Sequence, residues 1–302
     1  MTNPEKCKLL FEKLDEIEAY GRCIGKVQFD MECCAPEEGL ERAGEDMAVL
    51  GKRVFALTHD PEYVSLLTEL HEDREGLSPV QISAVEHLWE DYAKEKNFTP
   101  EFAYRRDLTA KKAYGDWLKA KQAKDFSLYR DAMAALIDNA RQAVALRDEK
   151  KATVYDTLLD DHEKGGSVAQ LDAFFAALKE RILPLVKRVQ TEGKPIRTDF
   201  MSRPVAIPRQ EALSRRLLEL EGLRETALVL MTTEHPFTDN FGPHDVRVTT
   251  HYYEENFISN IFSTLHEGGH ALFMQNEPAE YYENHAAERM SNAMHECISR
   301  FF

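Results

Sequence analysis

The chain has 302 residues, with 38 Lys or Arg against 53 Asp or Glu, and a formal net charge of −15. Hydrophobic residues make up 43% and charged residues 30%, the balance of a globular protein long enough for one large or two smaller domains. So acidic a chain disfavours phosphate backbones and anionic lipid, and no signal-peptide core or run of about 18 apolar residues occurs, so we expect a cytoplasmic protein with no nucleic-acid or membrane partner.

Five cysteines (Cys7, Cys23, Cys33, Cys34, Cys297) follow no disulfide or Cys-x-x-Cys spacing and read as reduced thiols. Along the chain, helical spacing appears first in Leu9, Leu10, Leu14 and Ile17. It recurs in Met47, Leu50, Val54 and Leu57, and again in Leu66, Leu67 and Leu70. Segments 99–122, 124–150 and 167–192 repeat the pattern, with Asp172, Phe175, Leu178 and Ile182 as one stripe. Pro36, Pro61, Ser78-Pro79, Thr99-Pro100 and Lys164-Gly165-Gly166-Ser167 mark the connections. After residue 225 the character changes. Residues 227–233 are apolar and β-branched, 238–243 are turn-rich, and 246–250 alternate at period two, which predicts two strands, in the manner of a hairpin. Helix resumes near Glu254, with Phe257, Ile258, Ile261, Leu265 and Leu272 on one side. The predicted fold is mostly α, with a helical part over 1–225 and a chemistry-bearing segment over 226–302.

His266-Glu267-Gly268-Gly269-His270 lies within that last helix. Two His four residues apart stand about 40° apart around a helix, so both imidazoles can converge on one cation. Zinc takes imidazole readily, and a catalytic zinc site keeps one position open for water. Glu267 points to a neighbouring sector, where a carboxylate can serve as general base without ligating; this is the His-Glu-x-x-His arrangement of zinc peptidases. The bland alternative is a pair of surface histidines. Against it stand Gly268 and Gly269, each costing about 1 kcal/mol relative to Ala in a helix, for which close approach of another backbone is the better reason.

A third ligand must come from elsewhere, and Glu283, His285, Glu288, His295 and Glu296 are the candidates downstream. Met290, Met294, Cys297 and Phe301 form a helical stripe extended on one side by Ala293. On that wheel Glu296 flanks the apolar side, whereas Glu288 and His295 fall toward solvent, so Glu296 is the preferred ligand. The alternative for Glu296 is an i,i+4 pair with Arg300.

Four motifs together resemble the carboxypeptidase Taq family of metallocarboxypeptidases: His235-Pro236-Phe237, Asp245-Val246-Arg247-Val248-Thr249, His266-Glu267-Gly268-Gly269-His270 and His295-Glu296-Cys297-Ile298-Ser299-Arg300. The last departs from the family's His-Glu-Ser-Gln-Ser-Arg at Cys297 and Ile298. Weaker similarity includes Phe29-Asp30-Met31-Glu32 and 155–160. The resemblance implies a helical zincin-type fold with a deep cleft, which residues 1–225 would wall and cover, and a small β-hairpin or sheet beside the active helix. It implies zinc, with cobalt or another divalent ion as a substitute, held by His266, His270 and Glu296, with Glu267 as base. Peptide substrates, trimmed one residue at a time from the C-terminus, and a homodimer are the implied partners. His235 and Arg247 are candidate substrate contacts, and Asp245 a candidate partner for a ligand imidazole. The strand at 245–250 is expected to hold substrate by strand addition.

Family members are longer, and their Ile-Arg-x-x-Ala-Asp and Gly-x-x-Gln-Asp-x-x-Trp motifs find no counterpart here. The metal site therefore reads as complete and the substrate site as incomplete. Apolar surface is expected on the helices 253–275 and 285–302, where a second lobe or a partner would sit. Two rivals remain at this point: a helical oligopeptidase that cuts internally, and a catalytically silent zinc-stabilised domain acting as a scaffold.

Overall fold

A computed structural model describes residues 1–287 and 289–301; Glu288, weighed above as a ligand, and Phe302 lie outside the described residues. The chain falls into two compact units, residues 1–149 with 277–289, and residues 150–276 with 290–302. Both are mostly helical, and a three-stranded sheet belongs to the second. No helix among the described residues is long and apolar enough to cross a membrane.

In the first unit the helices are α1 (Asn3–Cys33), α2 (Leu40–Thr58), α3 (Pro61–Glu72), α4 (Pro79–Glu95), α5 (Pro100–Ala123) and α6 (Arg130–Leu146). Pro61, Pro79 and Pro100 also start helices, because each stands in the first turn, where its missing N–H has no partner to lose. Asp60, Ser78 and Thr99 precede them, and their side-chain oxygens accept from the exposed N–H groups of Tyr63, Gln81 and Phe102. The segment read as helix over 124–150 is shorter than expected. Lys124 adopts φ 53° and ends α5, and Asp125 caps a short 3-10 turn before α6 begins. Leu10 and Leu14 of α1, Leu66, Leu67 and Leu70 of α3 and Val85 of α4 close one core. Each such side chain contributes about 1.5–3 kcal/mol on burial. In the same unit, α11 (Ala279–Glu283) leads to His285, whose Nδ1 lies 2.7 Å from Glu18 Oε1 and whose ring stands edge-on to Phe11. This candidate ligand is held against α1.

The second unit contains α7 (Val154–His162), α8 (Val168–Glu192), α9 (Ile207–Leu220), β1 (Leu228–Thr232), β2 (Thr238–Asn240), β3 (Val246–Thr250), α10 (Phe257–Asn276) and α12 (Asn292–Ser299). The two strands legible in the sequence do not form a hairpin. β1 and β3 run parallel, with Leu228 opposite Val246 and Thr232 opposite Thr250. The antiparallel partner of β3 is β2, which the sequence hides in its turn-rich stretch. Three residues including Asp and Asn carry no strand signal of their own. Pairing comes from the turn instead, where Gly242 (φ 120°) donates its N–H to Asn240 Oδ1 at 2.8 Å. The sheet order is β1-β3-β2, so β3 is paired on both sides. Strand addition at 245–250 is therefore overturned, and the sheet's edges belong to β1 and β2.

Alternate residues of β3 face opposite ways. Val246 and Val248 pack with Leu218 of α9 and Ala271 of α10. Thr250, on the same face, donates to Asn260 Oδ1 of α10 at 2.9 Å. That same oxygen lies 3.0 Å from Ser214 Oγ of α9 and 3.1 Å from Thr264 Oγ1. A buried polar knot thus fixes the rotation of α10 about its own axis.

Candidate metal centre

The rotation of α10 decides where its motif points. Its buried residues are Asn260, Thr264, Glu267, Gly268, Gly269, Ala271 and Gln275, while His266 and His270 lie at the margin of that face. Their rings are 4.9 Å apart and nearly perpendicular. Gly269 is where α12 crosses, and a Cβ there would lie 2.7 Å from Ser299 Cα and 3.1 Å from the Ile298 carbonyl oxygen. Backbone approach therefore explains this glycine, as the sequence suggested. Gly268 has a different reason, since a Cβ there would collide with the Glu221 carboxylate and the Leu218 side chain.

The wheel drawn for 290–301 picked the wrong packing face. Met294 is 51% exposed and Cys297 is also exposed, whereas Ser299 is buried and His295 half-buried. A helix seated on a glycine backbone brings its small residue inward and leaves its bulky stripe outside. Glu296 nevertheless reaches the motif. Its Oε2 lies 3.7 Å from His266 Nε2 and its Oε1 lies 3.8 Å from His270 Nε2. One donor atom from each of His266, His270 and Glu296 falls within 4.8 Å of the others. Glu296 also keeps Arg300 Nε at 3.4 Å from Oε2, so the i,i+4 pair foreseen as the alternative coexists with the cluster.

His295, which the wheel turned toward solvent, places its Nδ1 3.1 Å from His270 Nδ1 and its ring edge-on to Phe273. One of the two nitrogens must carry the proton. A proton on His270 Nδ1 leaves Nε2, the atom facing Glu296, with its lone pair free for a cation. Burial, with His266 and His295 nearby, pushes His270 down to about 4, against the pull of Glu296. The imidazole is then neutral at pH 7, as a ligand must be.

Glu267 is only 7% exposed. Its Oε2 accepts from Thr238 Oγ1 at 2.7 Å, and the Glu267 carbonyl lies 3.0 Å from the same hydroxyl. The short strand β2 thereby positions this carboxyl, a role no sequence signal marked. Burial pushes Glu267 up to about 7, opposed by the Thr238 hydrogen bond and reinforced by the charge of Glu296. Asp245 and Arg247 pair with each other through two contacts of 2.9 and 3.1 Å, with the guanidinium over the Phe241 ring. His235 is exposed at the turn after β1, where its carbonyl accepts from Thr233 Oγ1 at 2.8 Å. Two imidazoles and one carboxylate around a shared space suit a divalent transition ion, and zinc takes this donor set in hydrolytic sites.

Comparison with known proteins agrees with this chemistry. Carboxypeptidase 1 of Bacillus subtilis (strain 168) is 32% identical over 296 residues, which are 98% of this chain and 59% of that protein. Thermostable carboxypeptidase 1 of Thermus thermophilus is 30% identical, over 93% of this chain and 58% of its own. The solved structure of the Pyrococcus furiosus carboxypeptidase superposes with a TM-score of 0.80 at 28% identity, covering 91% of this chain and 56% of that one. The chain thus spans somewhat under three fifths of the length of these relatives. The family model described as carboxypeptidase Taq (M32) metallopeptidase matches residues 9–302, a stretch that holds β2, the motif helix and the clustered donors alike, and the chain belongs to that family.

Proposed function

We propose that this chain is a zinc-dependent metallocarboxypeptidase that hydrolyses the C-terminal peptide bond of peptide substrates. The observation that carries the reading is the convergence of His266, His270 and Glu296, with the buried Glu267 on the same helix. The three converging side chains are the ligands in this reading, and cobalt or another divalent ion can substitute for zinc. When bound, such an ion supplies Lewis acidity that polarises a carbonyl and acidifies water. Glu267, in its ionised form, takes the proton of the attacking water and hands it to the leaving amine. Thr238 holds the Glu267 carboxylate in place, and His295 fixes the tautomer of His270. An extended substrate lies along the edge strand β2, next to the base. Arg247 and His235 contribute to substrate contact, with Asp245 orienting the Arg247 guanidinium. The chemistry-bearing segment is 226–302.

Metal analysis together with hydrolysis of an N-blocked dipeptide tests the proposal. About one zinc per chain is expected, lost in His266→Ala, His270→Ala and Glu296→Ala, with an affinity loss exceeding about a hundredfold. Full occupancy in these variants would overturn the ligand set. Release of single residues from a free C-terminus, with an amidated peptide left intact, is the expected specificity. Cleavage of the amidated peptide at an internal bond would make the protein an oligopeptidase, and zinc bound without turnover would make it a scaffold.

A further inference from the structure

Apolar surface was expected on the helices around 253–275 and 285–302, but its largest concentration lies on α8. There Leu171, Phe175, Leu178, Ile182, Leu185 and Val189 are spaced by alternate fours and threes, which sets them on one seam of the helix. No residue of α8 is buried, and Leu185 and Val189 are 52% and 58% exposed. Phe174 and Val186 widen the face beyond the seam and are exposed as well. A contiguous apolar face of this extent marks an interaction site. A helix of this length gains most of its stability from packing that face, and Pro184 in its interior makes packing more necessary.

The charges beside the seam say what covers it. From 179 to 192 stand Lys179, Arg181, Lys187 and Arg188 against Glu180 and Glu192, a basic excess in a chain of net charge −15. At the positions flanking the seam are Lys179, Arg181 and Arg188, with Asp172 as the lone carboxylate. A second copy would therefore set like charges or apolar groups beside the arginines. The acidic remainder of the chain equally disfavours an anionic lipid surface. The match leaves about two fifths of the length of the Bacillus subtilis protein unspanned, so proteins of this family carry further polypeptide from which a covering helix can come.

We propose that α8 is the docking face for a partner helix, apolar along one side and flanked by carboxylates, that belongs to polypeptide outside these 302 residues and not to a second copy of this chain. The probe is a designed three-heptad helical peptide with Leu and Ile along its seam and Glu beside it, compared with a twin carrying Lys. Fluorescence anisotropy with the 302-residue chain should show saturable binding of the Glu peptide, at least about tenfold tighter than the Lys twin at low salt, with the gap narrowing as salt rises. Leu178→Glu with Ile182→Glu should cost at least about tenfold in affinity, and Arg181→Glu with Arg188→Glu should invert the preference between the twins. Circular dichroism shows whether these variants remain folded. The proposal is overturned by failure of the Glu peptide to bind, by equal binding of both peptides, or by binding unchanged in the Leu178→Glu/Ile182→Glu variant. It is equally overturned if the seam variant abolishes a dimer seen by sedimentation, or if the chain takes up phosphatidylserine vesicles through α8 in preference to the peptide.

Discussion

Helices α8 and α10 belong to the same unit and differ little in length, yet they invert the usual rule of burial. The interior of α10 is polar or small: two amides, a hydroxyl, a carboxyl, an alanine and two glycines. The outside of α8 is Phe, Leu, Ile and Val. The difference shows that apolarity alone does not decide which face of a helix packs. What decides is whether a neighbour of matching shape and hydrogen-bonding character stands opposite. On α10 that neighbour is supplied three times, by hydroxyls of α9 and β3, by the hydroxyl of Thr238, and by the backbone of α12.

The comparison can be broken most forcefully at Glu267. Replacing it with Gln keeps the shape and the Thr238 contact but removes the proton acceptor. Turnover should fall by about 10²–10⁴-fold with the metal retained; steady-state kinetics and metal analysis on one preparation would reveal near-native activity if another group were the base. At Asn260 the expectation concerns stability. Asn260→Ala removes the acceptor of the Thr250 hydroxyl, which costs about 1–3 kcal/mol if left unpaired, and leaves Thr264 with Ser214 Oγ alone. Denaturant unfolding showing a loss below about 0.5 kcal/mol would mean that the polar knot does not hold α10.

Glu221 gives a pH-dependent test of the same interior. Its carboxyl is buried against Gly268, and neither oxygen has a hydrogen-bond partner among the described residues. Burial pushes it up from 4.5 to about 7. A carboxyl with a raised folded pKa holds its proton more tightly folded than unfolded. Its contribution is therefore whole below about pH 4.5 and fades as pH climbs through about 7. Glu221→Gln, neutral throughout, should resemble the parent near pH 4 and exceed it by up to about 3 kcal/mol at pH 8. Parallel stability curves at the two pH values would show that Glu221 finds a partner when ionised. Gly269→Ala should cost about 1–3 kcal/mol by overpacking against α12, and should weaken zinc binding as Glu296 is displaced. A melting temperature and metal affinity both unchanged would contradict the close approach. The smallest effect belongs to the other helix. Leu178→Ala on α8 should change stability by less than about 0.5 kcal/mol in the 302-residue chain, and a loss like that of a core leucine would show that α8 is already covered.

Much of this was legible beforehand, for physical reasons that differ from place to place. The stripe of Leu10, Leu14, Leu66, Leu67 and Leu70 was readable because those residues pack on similar apolar helices, where hydrophobic period and burial coincide. The i,i+4 spacing of His266 and His270 was readable because a helix fixes their geometry by itself. Glu296 does stand beside His266 and His270 although the wheel that favoured it was mis-phased, so its choice rests on the motif resemblance. β2, Thr238, Glu221 and the contact from His295 were hidden. Each is defined by what stands opposite in space, and none by a pattern along the chain. The parallel pairing of β1 with β3 was hidden likewise, because two short apolar runs carry no record of relative direction.

The seat of α12 on Gly269 has one further consequence. Where two helices touch through main-chain atoms, their separation is a clearance set by covalent geometry and is indifferent to the side chains pointing elsewhere. Cys297 is exposed, and Ile298 meets Gly269 through its carbonyl oxygen. These are the two positions at which the fourth motif departs from the family's His-Glu-Ser-Gln-Ser-Arg. Such a joint lets lettering drift at 297 and 298 while Glu296, between His295 and Cys297, keeps its place beside His266 and His270. In a mutational survey, position 269 should accept almost nothing, and the exposed position 297 across the joint almost anything.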